Sequence, residues 1–263
     1  MSTLLTIKEI VEMLRTAEEP APWIEELAHD SRAGVKNALA RWQRQYHKKE
    51  MIMQEHVAKI AFDESFAPFQ GAKVAGVDEA GRGPLAGPVV TAVVVLPKEV
   101  PELVGLDDSK TISKAERRRL AALIRNVAIA YSTHIQSARR IDELNIYAAT
   151  RESMEQAVKA LAVRPDFVIV DAMALRIDYP TESVIKGDAK SLAVAAASII
   201  AKTTRDAIMD QLHTDFPEYH FEKNAGYGTA EHVKALQIYG PCEHHRTTFE
   251  PVKSMIAEGR TRQ

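Results

Sequence analysis

The sequence predicts an α/β fold, with one mixed sheet flanked by helices and a helical extension in front of it. Three observations support this fold class. After residue 72, short apolar runs rich in β-branched residues alternate with longer segments of helical periodicity. Two of these runs, 74–77 and 89–96, follow one another without a helix between them, so a purely parallel sheet is not expected. Residues 1–70 show helical patterns and no comparable strand.

The N-terminal extension is expected to contain two helices. Thr3–Leu14 has a helical pattern, which Pro20 and Pro22 interrupt. From Ser31 to Ile60, apolar residues recur at steps of three, four or seven, which predicts one long helix. Its apolar stripe comprises Val35, Leu39, Trp42, Tyr46, Met53, Val57 and Ile60. The basic residues lie largely off this stripe, where they form either a solvated face or a contact with a phosphate backbone: Arg32, Lys36, Arg41, Arg44, Lys48 and Lys49.

A linker at 66–71 leads into the segment that is expected to form the sheet. Strands are predicted at 74–77, 89–96, 127–136, 167–171 and 181–186, and helices at 113–126, 137–161 and 189–212. The strand at 89–96 is apolar on both faces, so it should be buried, and Pro97 should end it. Ser113 and Glu116 form a capping-box pattern at the start of the first of these helices. A break near Asn145 should divide the second.

Composition limits the classes of function. A formal net charge of −2 over 263 residues does not indicate a polyanion partner, so a nucleic-acid surface would have to come from local patches. A single cysteine, Cys242, excludes an internal disulfide and a cysteine-rich zinc site. The N-terminus lacks the pattern of a signal peptide, and no uncharged stretch approaches the ~20 residues that span a bilayer. We therefore expect a cytoplasmic protein without a membrane partner.

Two adjacent acids, Asp78 and Glu79, come directly after the first predicted strand. Neighbouring strand residues point to opposite faces, so a plain strand cannot direct both acids at one site. We expect Asp78 to point inward as a metal ligand and Glu79 to be brought round by the bend that Gly81 and Gly83 permit. The alternative is a solvated acidic turn.

Two further acids are placed where they could join this site. Asp171 ends an apolar strand, and burying an unpaired acid there would be costly. Asp188 lies just ahead of a helix, where it is either a ligand or an N-cap. Carboxylate oxygens suit Mg²⁺ or Mn²⁺, and a group of them at one sheet edge is what a two-metal phosphodiesterase requires. His244 and His245 are interpreted as a capping or surface pair.

Several ordered motifs resemble those of the bacterial ribonuclease HII (type 2 ribonuclease H) family. They occupy residues 77–88, 107–110, 169–171, 186–188, 196–206, 226–229 and 245–249, and the resemblance extends from residue 72 to about 255. It implies a ribonuclease H-like fold for a catalytic domain at 72–263. It also implies a site that binds Mg²⁺ or Mn²⁺ through four carboxylates: Asp78, Glu79, Asp171 and Asp188.

The same resemblance implies an endonuclease that cuts on the 5′ side of ribonucleotides in RNA–DNA hybrids and in duplex DNA, leaving a 3′-hydroxyl and a 5′-phosphate. The loop of Gly81, Arg82 and Gly83 would let main-chain groups approach the 2′-hydroxyl. Tyr227 would pack against the sugar of the next nucleotide, unless it is a core tyrosine. Phosphate contacts are expected from Ser109 and Lys110, whereas Lys202 and Arg205 could equally be structural.

Two alternative functions remain open on the sequence. One is another ribonuclease H-like nuclease, such as a junction resolvase, which would share the acids but lack a sensor for ribose. The other is a module that binds hybrid duplexes without cutting them, which would be expected to have lost at least one of the acids. No protein partner can be inferred from the sequence.

Overall fold

The structure is a computed structural model that describes residues 5–106 and 112–259. The motif at 107–110, with the expected phosphate contacts Ser109 and Lys110, lies outside the described residues. The chain divides into two compact units, Met1–Val57 and Ala58–Gln263.

The first unit is helical, as the sequence predicts, and has an apolar core of its own. It contains α1 (Ile7–Thr16), α2 (Pro22–Glu26) and most of α3 (Ala33–Glu64). Thr6 caps α1 in a capping box with Glu9, and Pro22 begins α2. The core joins the first half of the α3 stripe to α1 and α2, and consists of Ile10, Leu14, Ile24, Leu27, Val35, Leu39 and Trp42. The Trp42 indole donates a hydrogen bond of 2.8 Å to the carbonyl of Ala17.

The predicted stripe is wrong at two positions in the second half of α3, whereas Ile60 packs against the apolar core of the second unit as predicted. Met53 and Val57 are 46% and 57% exposed, whereas His56 and Lys59 are buried. Lys59 Nζ donates to the carbonyl of Leu106 at 2.9 Å, within the second unit. The buried face of a 32-residue helix changes because its neighbours change along its length, which a constant sequence period cannot show.

The second unit contains a five-stranded mixed sheet with the strand order β3-β2-β1-β4-β5, which confirms the predicted fold class. The strands are β1 (Val74–Ala80), β2 (Val89–Val95), β3 (Ala130–Gln136), β4 (Phe167–Asp171) and β5 (Thr181–Val184). β2 pairs antiparallel with β1 and β3, whereas β4 pairs parallel with β1 and β5. The helices are α4 (Lys114–Val127), α5 (Ala138–Leu144), α6 (Ile146–Lys159), α7 (Gly187–Lys190), α8 (Leu192–Asp215), α9 (Phe221–Asn224), α10 (Ala230–Tyr239) and α11 (Val252–Ala257).

Helices cover both faces of this sheet. α8 and α4 pack on one face, in a cluster that includes Ala92 and Val94, and α6 packs on the other, against Val93 and Val95. Gly76 lets α8 approach β1 closely, because a Cβ atom there would lie 2.2 Å from the backbone of Ala193. No helix in the described part of the chain is long and apolar enough to cross a bilayer.

Local signals determine several helix ends. Ser113 caps α4 and accepts from the Glu116 amide at 3.2 Å, while the Glu116 carboxylate pairs with Arg119. Asn145 separates α5 from α6 at φ 74, as the predicted break requires. Its side chain accepts from the amide of Ala148, so it also caps α6.

Candidate active site

β1 continues through both of its acids. Asp78 is paired with Ala92 of β2, and Glu79 with Thr91. The prediction that the strand ends before Asp78 is therefore wrong, since β2 supplies antiparallel partners as far as Ala80. The turn begins only at Gly81.

The sheet brings Asp78 and Asp171 to the same edge. Val77 of β1 is in register with Val170 of the parallel strand β4, and each is followed by its acid. Asp78 is 5% exposed. Burial raises the pKa of Asp78 well above its ordinary value, and the nearby carboxylates of Glu79 and Asp171 raise it further. Three carboxylates therefore act on one another at this edge, although hydrogen bonds from the Glu79 amide and Ser198 partly offset the effect on Asp78.

The turn between β5 and α8 brings Asp188 towards this edge. The amide of Gly187 donates to Asp171 Oδ1 at 2.7 Å. Asp188 follows in the first turn of α7, where its Oδ1 accepts from the Ala189 amide at 2.9 Å. The N-cap of α7 is Lys186 and that of α8 is Ser191, so the N-cap alternative for Asp188 is wrong.

Glu79 forms an ion pair with an arginine of the loop that follows β1. Its side chain is 13% exposed and forms a 3.4 Å ion pair with Arg82, which is 41% exposed. Arg82 therefore lies on the solvent side of the acids. There its guanidinium can meet a phosphate as well as the glutamate.

The carboxylate oxygens of these acids are suitable ligands for a hard divalent cation. Carboxylate oxygens are the ligands that Mg²⁺ and Mn²⁺ prefer, and a cation would relieve the repulsion that raises the pKa of Asp78. Across residues 5–106 and 112–259, no three histidine, cysteine or carboxylate side chains are grouped closely enough to hold an ion in their present conformations.

Two buried arginines hold the loop that follows β1. Arg205 donates to the carbonyls of Pro88 and Ala86 at 2.9 and 3.1 Å, and also to that of Ala225. Arg246 donates to the carbonyl of Arg82 at 2.7 Å and to those of Gly81 and Gly87. Arg205 is thus structural rather than a phosphate contact. Lys202 pairs with Asp206 at 2.6 Å.

Gly81 has to be glycine for two reasons. Its φ is +97, and an added Cβ atom would lie 2.1 Å from Arg205 Nε. The loop passes close to Tyr227 as well, because a Cβ atom on Gly83 would lie 3.6 Å from the tyrosine ring. Tyr227 is 47% exposed, so the alternative of a core tyrosine is wrong.

Sequence reasoning missed the residues that support the loop and Tyr227. Arg246 is fully buried, and His245, interpreted as a surface or capping residue, is 2% exposed. Asp142 of α5 accepts four hydrogen bonds of 2.6–3.0 Å from Thr247 and Thr248, directly after Arg246. The only sequence signal for this support was the family motif at 245–249.

Comparisons with known proteins identify the family and the fold. The family model for ribonuclease HII matches residues 75–252, and that for the ribonuclease HII N-terminal domain matches residues 6–67. Ribonuclease HII of Geobacillus sp. (strain WCH70) is 44% identical over 95% of this chain and 91% of its own length. That of Halalkalibacterium halodurans is 44% identical over 99% and 100%. Ribonuclease H2 from Pyrococcus horikoshii superposes with a TM-score of 0.63 at 29% identity, covering 72% of this chain and 99% of its own.

Proposed function

Because the chain belongs to the ribonuclease HII family, it is a metal-dependent endoribonuclease that acts on RNA–DNA hybrids, and we propose that the acids at the sheet edge form its active site. These acids are Asp78, Glu79, Asp171 and Asp188. The observation that carries the proposal is the register of β1 with β4, which puts Asp78 beside Asp171. The charge repulsion at Asp78 supports it.

The four carboxylates would hold two Mg²⁺ or Mn²⁺ ions. When bound, the ions supply Lewis acidity, which makes a water nucleophilic near neutral pH and stabilises the leaving 3′-oxygen. The chain contributes the positions of the ligands. The Gly187 amide orients Asp171, and the burial of Asp78 strengthens its interaction with a cation. Arg82 can exchange its contact with Glu79 for a substrate phosphate.

The loop of Gly81–Gly83 and the exposed ring of Tyr227 would select the site of incision. With little side-chain bulk in the loop, main-chain groups can approach a 2′-hydroxyl, while the adjacent ring packs against the next sugar. A deoxyribose fits there and a 2′-hydroxyl does not. The preferred substrates are therefore single ribonucleotides in duplex DNA as well as hybrids, cut on the 5′ side to leave a 3′-hydroxyl and a 5′-phosphate. Ser109 and Lys110 would add phosphate contacts.

The proposal includes the organisation of the chain. Residues 1–70 would form a helical extension that helps to bind the duplex, and 72–263 the catalytic domain. The matches of separate family models to 6–67 and 75–252 support this division. The basic side of α3 supports the binding role, because Arg41, Arg44 and Lys48 are all exposed. We place the protein in the cytoplasm.

Two aspartates near opposite ends of β4 allow a matched test. Asp171→Asn should reduce cleavage more than a hundredfold, since even residues that support metal ligands contribute about 10–100-fold. Asp166, which accepts from the Lys73 amide at 2.8 Å, is the control, and Asp166→Asn should stay close to wild type. Rates are measured on a DNA duplex with one ribonucleotide and on a continuous hybrid, in Mg²⁺ and in Mn²⁺.

Three results would count against the proposal. Activity of Asp171→Asn within tenfold of wild type would exclude it as a metal ligand. Equal cleavage of an all-DNA duplex or a four-way DNA junction would favour the junction-resolvase alternative. Tight binding of the hybrid by wild type without cleavage in either metal would favour the binding module.

A further inference from the structure

Two buried histidines link the backbone of Tyr227 to the segment around Cys242. Nε2 of His232 lies 3.0 Å from Nε2 of His245, and the two residues are 0% and 2% exposed. The other ring nitrogen of His232 lies 2.9 Å from the carbonyl oxygen of Tyr227. The other ring nitrogen of His245 is 3.0 Å from the amide of Cys242.

These contacts assign a direction to every hydrogen bond in the series. The Cys242 amide can only donate, so Nδ1 of His245 accepts and its Nε2 carries the proton. That N–H donates to Nε2 of His232, whose proton is then on Nδ1 and is donated to the Tyr227 carbonyl. Both rings are neutral in this arrangement, because a second proton on either ring would set two donors against each other.

The surroundings of the pair favour the neutral form. Tyr219 and Phe221 pack against both imidazoles, with ring centroids 4.8–6.1 Å apart. Burial, together with the neighbouring His232 and His244, lowers the pKa of His245 to about 3. Burial also lowers the pKa of His232. The series of hydrogen bonds therefore persists at neutral pH.

The residue after His245 connects segment 242–246 to the Gly81–Gly83 loop. Arg246 donates to the carbonyls of Gly81, Arg82 and Gly87. A second link joins the loop to the residue before Tyr227, since the Leu85 amide donates to the carbonyl of Gly226 at 2.8 Å. Segment 242–246 thus reaches Tyr227 through His245 and then His232, and it reaches the Gly81–Gly83 loop through Arg246.

We propose that His232 and His245 are positioning residues, which fix Tyr227 relative to the Gly81–Gly83 loop and thereby set the preference for a single ribonucleotide over a continuous hybrid. This inference rests on the proposed function, in which Tyr227 packs against the sugar beside the cut. Neither histidine touches the substrate. Loosening the pair lets the Tyr227 ring move out of register with the loop, and incision at single ribonucleotides depends on that register.

Amide substitutions at the two histidines give a crossed test. Asn carries its amide near the position of imidazole Nδ1, and Gln near that of Nε2. His232→Asn therefore keeps the bond to Tyr227 but loses the bond to His245, and His232→Gln does the reverse. At the other ring, His245→Gln keeps the donor to His232 and His245→Asn removes it. The quantity measured is the ratio of kcat/KM for the single-ribonucleotide duplex to that for the hybrid.

The three variants that break the series between His245 and Tyr227 should lower this ratio by about threefold to tenfold, the effect of one hydrogen bond. His245→Gln, which keeps both bonds of that series, should stay within about twofold of wild type. Val252→Ala is the stability control, because Val252 is fully buried in the apolar cluster that contains Tyr219 and Phe221, and its aliphatic side chain cannot take part in the hydrogen bonds of the pair. It should destabilise the fold without changing the ratio. A ratio that follows melting temperature through all five variants would overturn the inference.

Tyr227→Ala separates this inference from the function on which it rests. That variant should lower the same ratio, and adding His232→Gln to it should produce no further decrease, because the histidine acts through the tyrosine. If Tyr227→Ala leaves the ratio unchanged, the sugar-packing role of Tyr227 fails, and the inference fails with it. If Tyr227→Ala lowers the ratio but His232→Gln and His245→Asn do not, only the inference fails.

Discussion

The acidic edge of the sheet and the loop at 81–88 are neighbours in sequence, yet their buried charges are compensated in different ways. At the acidic edge, burial raises the pKa of Asp78, and the like charges of Glu79 and Asp171 raise it further. In the loop, two buried guanidinium groups donate to backbone carbonyls, and these hydrogen bonds offset the burial and the mutual repulsion that lower the pKa of Arg246 to about 9. The buried charges of the loop are therefore compensated by hydrogen bonds, whereas the carboxylates at the acidic edge have like charges as neighbours.

The proposed function, with a metal site at the acidic edge and recognition of ribose by the loop, accounts for this difference. A site for divalent cations must keep negative charge available, which costs stability until the ion arrives. A loop that recognises a hydroxyl group by main-chain contact must keep its shape before the substrate arrives. We therefore expect a substitution at the acidic edge to raise the free energy of unfolding and a substitution in the loop to lower it.

Asp78→Asn should have the largest effect on activity and should stabilise the metal-free fold. Removal of one ligand should reduce cleavage more than a hundredfold, by the argument made for Asp171. Because the ionised form of Asp78 is disfavoured by burial and by Glu79 and Asp171, the neutral amide should raise the unfolding free energy by about 0.5–2 kcal/mol. Thermal unfolding in EDTA measures this gain, at about 2–4 °C for each kcal/mol.

Added Mg²⁺ provides the control for Asp78→Asn. The ion should raise the melting temperature of wild type and raise that of the variant less, because a ligand stabilises only the state that binds it. A variant that is both inactive and less stable than wild type in EDTA would contradict the proposed difference between the regions.

Arg246→Lys should show the opposite behaviour, a decrease of stability in the loop region. A lysine cannot reproduce the planar fork that reaches Gly81, Arg82 and Gly87, so at least one buried carbonyl is left without its donor. The expected cost is about 1–3 kcal/mol in urea unfolding. Arg118→Lys is the matched control, because the Arg118 side chain is 63% exposed in its pair with Asp210 and should matter little. Equal destabilisation in the two variants would show that the loop needs only a positive charge.

The sequence predicted the residues of the acidic edge far better than the residues that hold the loop at 81–88 in place. Local patterns are enough for the former: the strand at 167–171 was predicted with its observed ends, and its final acid marked the edge. The support depends on contacts between distant parts of the chain. Arg246 reaches Gly81 across 165 residues, and no periodicity in the sequence records such a contact. The continuation of β1 beyond Val77 was missed for the same reason, because its partners belong to β2.

The histidine pair should give the loop region its own dependence on pH. The pKa of His245 is lowered to about 3 by burial, whereas an unfolded histidine titrates near 6.5. Below that pH the unfolded chain binds a proton that the folded chain does not, so the stabilisation present above pH 6.5 is lost as the pH falls. One such proton gives a slope of up to about 1.4 kcal/mol per pH unit. His245→Gln should reduce the slope of unfolding free energy between pH 6 and 4.5, and an unchanged slope would contradict a neutral buried pair.

The basic residues on α3 form a third group of charges, which lies in neither of the two regions compared above. Arg41, Arg44 and Lys48 are exposed, so their replacement by Gln, a good helix former, should leave stability within about 0.5 kcal/mol. Deleting residues 1–70 would be a poorer experiment, because Asp63 accepts from the Ala193 amide at the start of α8.

If these side chains bind the duplex backbone, the triple substitution should raise KM. It should also flatten the dependence of log affinity on log salt by about 0.9 for each phosphate that is no longer neutralised. Turnover at saturating substrate should change little, since the proposed metal ligands all lie in the second unit. A control triple at the exposed and scattered Arg139, Lys159 and Lys253 removes the same net charge. An equal change of slope in both triples would mean that net charge, rather than the basic side of α3, attracts the duplex.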